Sequence, residues 1–121
     1  MSDSTGNGND DDIDIDGFLI PLNVRVLIHP TLKENGLVEI DRADGEVATP
    51  IFTSRHFAEE YRDANPSMNE YDVKAIKKDR VTFLQLLDIF EKKEFTYVAI
   101  DPRGKQSFYC TIRELRRRIE E

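Results

Sequence analysis

The stretch Thr49-Pro50-Ile51-Phe52-Thr53-Ser54 decides the fold of this chain, because a buried strand runs directly into a helix there. Pro50 suits the edge of a strand, where no backbone N–H is needed. Thr53 is the predicted N-cap, whose hydroxyl accepts a hydrogen bond from an early helical N–H. That choice puts Phe52 and Phe57 at the two positions of a hydrophobic staple.

Apolar runs separated by turn signals extend on both sides of this junction. An Asp-Gly pair at residues 44–45 lies between two such runs and predicts a β-hairpin. Pro66 ends the helix that follows the junction, since a residue before proline avoids helical dihedral angles. The predicted elements are strands over residues 22–29, 37–41 and 47–52, a helix over 54–65, a strand over 70–77, a helix capped by Asp79, strands over 95–100 and 106–110, and a helix capped by Thr111.

The helix capped by Asp79 has the widest apolar face and is predicted to be the main helix on the sheet. With the strands over 70–77 and 95–100 it predicts a βαβ unit. The fold class is therefore α+β, with a small mixed sheet from a β-meander plus a βαβ unit and about three helices packed on it. The residues of the predicted apolar face are Val81, Phe83, Leu84, Leu86, Leu87, Ile89 and Phe90.

The acidity of the chain is concentrated at its N-terminus. The formal net charge is −7, and residues 1–16 carry −6 of it through six aspartates with no basic residue. The other 18 acidic and 17 basic side chains leave −1 on the rest. A segment of Ser, Gly, Asn and Asp buries too little apolar surface to offset the entropy of ordering. We therefore predict a disordered acidic tail over residues 1–17 and a single domain over residues 18–121.

Charge and cysteine content exclude several classes of function. A nearly neutral domain lacks the basic footprint that nucleic-acid binding requires, and no apolar run has the length needed to span a bilayer. The single cysteine, Cys110, excludes an intramolecular disulfide and suits a reducing compartment. The polar N-terminus lacks the basic and apolar regions of a signal peptide. The sequence predicts a cytoplasmic protein that binds neither nucleic acid nor membranes.

The run Asp12-Ile13-Asp14-Ile15-Asp16-Gly17 has the opening of a calcium-binding loop, with carboxylates at alternate positions and then glycine. The twelfth position of such a loop would be Asn23, where a bidentate glutamate is required, and Pro21 lies inside the loop. A solvated acidic tail is the favoured interpretation, and weak calcium binding by these aspartates stays open.

The chain offers few residues for catalysis or metal binding. His29, His56 and Cys110 are far apart in the sequence and lack the spacing of a zinc site. Cys110 is predicted to be a small apolar core residue at a strand end, and His56 to lie in the first turn of a helix. The sequence contains no nucleophile elbow, phosphate-binding glycine loop or paired carboxylates in helical register. We predict no enzymatic activity, no cofactor and no metal.

The order of four segments carries a family resemblance. The segments are Pro50-Ile51-Phe52-Thr53-Ser54, Leu84-Gln85-Leu86-Leu87, Tyr97-Val98-Ala99-Ile100-Asp101-Pro102 and Thr111-Ile112-Arg113-Glu114-Leu115. Between Val24 and Ile119 this order resembles the SseB N-terminal-domain family. Asp101 stands where that family has Asn, and a polar tail replaces its N-terminal helix. The resemblance implies a bacterial cytoplasmic module without established catalysis, sometimes encoded with toxin systems.

The resemblance and the lack of a catalytic constellation favour a non-enzymatic protein–protein interaction module with a protein partner. Its surface is expected where the junction at residues 52–54, a turn over residues 101–104 and the outer face of the last helix come together. The candidate residues are Thr53, Ser54, Asp101, Arg103, Arg113 and Arg117.

Two alternatives stay open. One is an immunity-type inhibitor whose acidic arm covers a basic site on a toxin, since acidic charge would steer such an encounter. The other is a small ligand-binding or enzymatic domain with a site near Asp101, at the C-terminal end of a strand.

Overall fold

A computed structural model describes residues 12–15, 17–32, 36–103 and 106–120. Residues 1–11 of the predicted acidic tail and Gly104 of the predicted turn lie outside the described residues. The described part contains eight strands, three α-helices and a short 3-10 helix over Pro66–Met68. The strands are β1 (Ile13–Ile15), β2 (Phe18–Ile20), β3 (Arg25–Ile28), β4 (Ile40–Asp41), β5 (Val47–Ile51), β6 (Asp72–Ala75), β7 (Tyr97–Arg103) and β8 (Gln106–Thr111), and the helices are α1 (Arg55–Asp63), α2 (Arg80–Lys92) and α3 (Ile112–Glu120).

Strands β5 and β7 form the parallel centre of a four-stranded sheet with the order β4-β5-β7-β8. The outer strands β4 and β8 pair antiparallel with their neighbours. Residues 97–100 suit the centre of the sheet because they are nearly continuously apolar. The remaining strands form two-stranded sheets, β1–β2 and β3–β6. This architecture confirms the predicted α+β class with a mixed sheet.

The predicted βαβ unit is wrong in its first strand. It was predicted to join the strand over residues 70–77 to β7 through α2. Strand β6 pairs antiparallel with β3 instead. The parallel neighbour of β7 is β5, so the crossover between the parallel strands contains α1, β6 and α2. Asp72 and Lys74 make β6 too polar for a sheet that is covered on both faces, and this composition suits an edge.

The hairpin predicted at residues 44–45 is confirmed. Strands β4 and β5 pair antiparallel, and the Arg42 N–H donates to the Glu46 carbonyl at 2.9 Å across the loop. Gly45 has a φ of 87°, in the left-handed region that glycine adopts without steric cost. Strand β4 is shorter than predicted, and Leu37 forms an isolated bridge with Ile28 instead.

The predicted N-terminal boundary of the domain needs a correction. Strand β1 pairs antiparallel with β2, and Ile15 is opposite Phe18. Ile13 and Ile15 are 5% and 3% exposed and belong to the main core. Alternation in a strand places both isoleucines on one face and the aspartates between them on the other, which the acidic composition concealed. The folded unit therefore includes residues 13–15, which were predicted to be part of the tail.

Two apolar clusters lie on opposite faces of the strands. Adjacent residues of a strand point to opposite faces, and Ile51 belongs to the larger cluster whereas Phe52 belongs to the smaller one. The larger cluster joins β1 and β2 to α2 and α3. The smaller cluster lies under α1. The hairpin β1–β2 and the two later helices therefore share one core.

Helix α2 is the most apolar helix and supplies four buried side chains, as predicted. Val81 belongs to the predicted apolar face but is 61% exposed. Each residue of an α-helix is rotated by about 100° about the helix axis, so Val81 lies on the far side of the helix from Phe83. No helix within the described ranges is both long and apolar enough to cross a membrane. The four buried residues are Phe83, Leu86, Leu87 and Phe90.

Helices α2 and α3 begin at the predicted caps. The Asp79 carboxylate accepts the Thr82 N–H at 3.0 Å, and the Thr111 hydroxyl accepts the Glu114 N–H at 3.1 Å. Each bond satisfies an N–H that the helix itself leaves without a partner. The local sequence therefore sets both helix starts.

Candidate interaction surface at the ends of two parallel strands

The C-terminal ends of β5 and β7 lie side by side because the two strands are parallel. Ile51 pairs with Ile100, so the residues that follow them meet at the same edge of the sheet. After the end of β5 they include Thr53 and Ser54, which lead into α1, and on β7 the residue after Ile100 is Asp101. Open sheets with parallel strands place functional residues at this edge.

Asp101 ties the end of β7 to the start of α1. Its carboxylate accepts the Thr53 backbone N–H at 2.8 Å and the Thr53 hydroxyl at 2.6 Å. Asp101 has a φ of 47°, in the left-handed region, which Asp tolerates better than most residues. The pairing of β7 with β8 is irregular between Ile100 and Arg103. Both oxygens of this half-buried carboxylate therefore hold the backbone of the junction.

Ser54 caps α1, and the prediction that Thr53 does so is wrong. The Ser54 hydroxyl accepts the Phe57 N–H at 3.3 Å. The Thr53 hydroxyl donates to the carboxylate on β7 instead. The shift by one residue also removes the predicted staple, since Phe52 and Phe57 no longer occupy its two positions. Phe52 is fully buried in the smaller cluster.

Arg25 on β3 supports the same junction. Its backbone exchanges two hydrogen bonds with Phe52, at 2.8 and 2.9 Å. Its guanidinium Nη1 donates to the Thr53 carbonyl at 3.3 Å. In the sequence Arg25 was visible only as a single charge in an apolar strand.

Arg103 forms an exposed patch with three residues of α1. Its guanidinium carbon lies 4.0 Å from the centre of the Phe57 ring, and its Nη2 lies 3.9 Å from a Glu60 carboxylate oxygen. Glu60 also lies 3.1 Å from His56 Nε2. The side chains of Arg103, His56 and Glu60 are 56%, 74% and 52% exposed. We call these four residues the Arg103 patch.

Three members of the Arg103 patch were not among the predicted surface residues. His56 and Glu60 are four residues apart, so they share one face of a helix, and this spacing was visible in the sequence. Their position beside Arg103 was not visible, because it follows from the parallel pairing of β5 with β7.

Arg113 and Arg117 do not join this surface, so the predicted set divides in two. Thr111 at the end of β8 pairs with Tyr97 at the start of β7, and α3 begins there. Asp101 lies four residues further along β7, which is about 13 Å in an extended strand. Arg117 instead contacts Glu114 at 2.7 Å. The hydrogen bonds from Arg118 and Arg117 lower the pKa of the Glu114 carboxyl below its ordinary value.

A second arginine cluster, which was not predicted, lies at the start of β7. The Arg42 guanidinium carbon lies 3.9 Å from the centre of the Tyr97 ring and 4.5 Å from that of Tyr109. Asp44 pairs with Arg42 at 3.1 Å, and this hydrogen bond lowers the pKa of Asp44 and raises that of Arg42. The cluster fastens the β4–β5 hairpin to the neighbouring strands.

The residues considered for metal or thiol chemistry lie apart. Cys110 is 6% exposed in the larger cluster, as predicted, and His56 lies on the outer side of α1. Asp14 Oδ1 accepts the Gly17 N–H at 2.7 Å, and Asp16 lies outside the described residues. Within the described ranges no group of three or more His, Cys, Asp or Glu side chains has the geometry to hold a metal ion.

Two pockets of the described residues lie away from Asp101. One is a groove of about 840 Å³ between the β3–β6 sheet and α2. The other has a volume of about 150 Å³ and is lined by residues of β1, α2 and α3.

The sequence of this chain matches no protein-family model and no curated protein.

Proposed function

We propose that this chain is a cytoplasmic, non-enzymatic module of the SseB-like type that binds a protein partner through the Arg103 patch. The observation that carries the proposal is the exposed Arg103 guanidinium, which lies on the Phe57 ring. Arginine and aromatic side chains supply much of the binding energy at protein interfaces. An arginine already held over a ring loses less side-chain entropy on binding than a mobile one.

The Thr53–Asp101 pair supports this function by fixing the scaffold under the patch. Phe57, His56 and Glu60 lie in the first two turns of α1, whose start is bonded to Asp101 on β7. Arg103 follows Asp101 on the same strand. This carboxylate therefore adds to the parallel pairing of β5 with β7 in fixing the two halves of the patch relative to each other.

The test is a quantitative affinity capture with the full-length chain, followed by affinity measurement with the purified partner. Arg103→Glu should weaken binding by at least about tenfold, since a central interface arginine contributes 2 kcal/mol or more. Lys92→Glu is the matched control, because it makes the same charge change at an exposed position on α2. Equal binding by wild type and Arg103→Glu would contradict the proposal.

A truncation of the N-terminus distinguishes the immunity-type alternative from the proposed function. Because Ile13 and Ile15 are in the core, the deletion must end at residue 11 and leave β1 intact. Under our proposal the truncated chain keeps its affinity and Arg103→Glu loses it. The reverse result would favour an acidic arm that covers a basic partner site.

A further inference from the structure

Strand β6 is an edge strand with main-chain groups that face outward. Within the described residues it pairs with β3 alone. The Ile76 N–H donates to the Val24 carbonyl at 2.9 Å, which marks these two as a hydrogen-bonded pair. Such pairs alternate along an antiparallel ladder, so Lys74 and Asp72 also bond to β3. The N–H and carbonyl groups of Val73 and Ala75 therefore point away from the sheet.

The hydrogen bonds of β3 agree with the outward direction of the Ala75 main-chain groups. Its residue Arg25, which is opposite Ala75, directs its N–H and carbonyl to Phe52 rather than to β6. An unpaired strand edge of this kind is a template for another strand.

An apolar groove runs alongside the edge. It has a volume of about 840 Å³ and lies between the β3–β6 sheet and α2. Val26 and Ile28 of β3 form its floor, and Leu86 and Ile89 of α2 form its far wall. A strand added to β6 would direct every second side chain into this groove, because neighbouring strands share their inward and outward positions.

Two charged residues, Lys74 and Asp72, lie on the groove side of β6 and restrict the occupant, since Asp72 pairs with Ile28 and also lines the groove. Lys74 pairs with Val26, which belongs to the core on that face, so Lys74 lies on the groove side. Lys74 is exposed, and no carboxylate of the described residues lies within ion-pair distance of it. An acidic side chain opposite Lys74 would form a favourable cross-strand pair.

A second copy of the chain does not fit this edge well. The two-fold register that matches Val73 with Ala75 of the copy places Lys74 directly opposite its own equivalent, which is unfavourable. The register that matches Val73 with itself gives a favourable pair of Lys74 with Asp72 of the copy, but it also places Ala75 opposite Tyr71. The Tyr71 N–H already donates to Met68 at 2.9 Å, and its carbonyl accepts from Arg62 at 3.3 Å.

The acidic segment of this chain is also a poor occupant. Residues 1–11 contain no Val, Ile, Leu or aromatic residue that could fill an apolar groove. We propose that β6 and its groove bind an extended segment of a partner protein by strand addition. Alternate residues of that segment are apolar, and the one opposite Lys74 is acidic. This site is separate from the Arg103 patch and does not depend on it.

The probe for this site is the peptide Val-Thr-Ile-Thr-Glu-Thr-Ile-Thr-Val, whose pattern reads the same in both directions. Its addition to the ¹⁵N-labelled full-length chain should give saturable shifts at the Val73 and Ala75 amides and slow their hydrogen exchange. The same peptide with Lys in place of Glu should bind about fivefold more weakly, and Lys74→Glu should reverse this preference. Absence of shifts at Val73 and Ala75 at millimolar peptide would overturn the proposal.

Ala75→Pro tests the main-chain contact directly. Proline is tolerated on an edge strand whose N–H faces solvent, and it removes the donor that the peptide needs. The variant should keep its circular dichroism spectrum and bind the peptide about two- to tenfold more weakly, the loss expected for one hydrogen bond. Ala75→Thr keeps the N–H and should bind like wild type.

Peptide binding by Ala75→Pro at wild-type strength, or a Lys74→Glu chain that still prefers the Glu peptide, would exclude strand addition. If Ala75→Pro does not fold, the charge swap at Lys74 decides. Arg103→Glu should leave peptide binding unchanged, so failure of this site and failure of the Arg103 patch are distinguishable.

Discussion

Asp101 combines an uncommon backbone conformation with two hydrogen bonds to one residue. Its φ is 47°, and its carboxylate accepts both the backbone N–H and the hydroxyl of Thr53. A left-handed residue that is not glycine carries a steric cost, which the surrounding bonds must offset. Asp is one of the few residues for which this cost is small.

Asp101→Ala is expected to lower the free energy of unfolding by about 1–3 kcal/mol, because the Thr53 N–H and hydroxyl lose their acceptor. Asp101→Asn should lose less than about 1 kcal/mol, since its carbonyl oxygen accepts the N–H and its amide donates to the hydroxyl. Urea denaturation of both variants measures the difference. Equal losses would show that the bonds to Thr53 contribute little.

The N-cap of α1 depends on a contact that is distant in the sequence. Thr53 and Ser54 are both good N-caps, so local propensity does not choose between them. The choice depends on Asp101, which lies 48 residues further along the chain and takes the Thr53 hydroxyl. The helix was therefore predictable, and its first residue was not.

The N-cap of α2 is formed by residues of its own first turn. The Asp79 carboxylate accepts from the N–H and the hydroxyl of Thr82. These bonds favour the ionised form and lower the pKa of Asp79 below its ordinary value of 3.8, the bond to the Thr82 N–H being the largest cause. Stability from this cap is therefore present above the unfolded-state pKa and is lost as the pH falls through the folded-state pKa.

Asp79→Asn should be less stable than wild type at pH 7, because a neutral amide accepts a weaker hydrogen bond and lacks the charge that favours a helix N-terminus. The difference should shrink as the pH falls below about 4, where Asp79 is protonated in the unfolded chain. Urea midpoints of both proteins at pH 7, 4 and 3 test this. A difference that stays constant with pH would rule out the ionised cap.

Element by element, strands were harder to assign than helices. An Asp-Gly pair precedes both β5 and β2, but only the β4–β5 hairpin was predicted from it. Six aspartates dominated the composition near β1 and outweighed the alternation of Ile13 with Ile15. The partner of β6 was not predictable, since it is β3, whose register joins residues some fifty positions apart.

For the molecule as a whole, the N-terminal hairpin completes the core. Ile13, Ile15 and Ile20 pack with α2 and α3, so this side of the larger cluster is closed by the first described strands. The predicted domain of residues 18–121 would lack two buried isoleucines. Burial of one such side chain stabilises a fold by about 1.5–3 kcal/mol, a large share of the stability of a small domain.

Ile15→Ala should therefore lower the free energy of unfolding by about 2–5 kcal/mol, through lost burial and the cavity that remains. Leu19→Ala is the matched control in the same hairpin, because Leu19 is 49% exposed and Ile15 is 3% exposed. The control should lose much less, since it removes little buried surface. Thermal and urea unfolding of the full-length chain measure both. Equal, small losses would show that residues 13–15 belong to a tail after all, and a truncation could then extend to residue 17 without loss of stability.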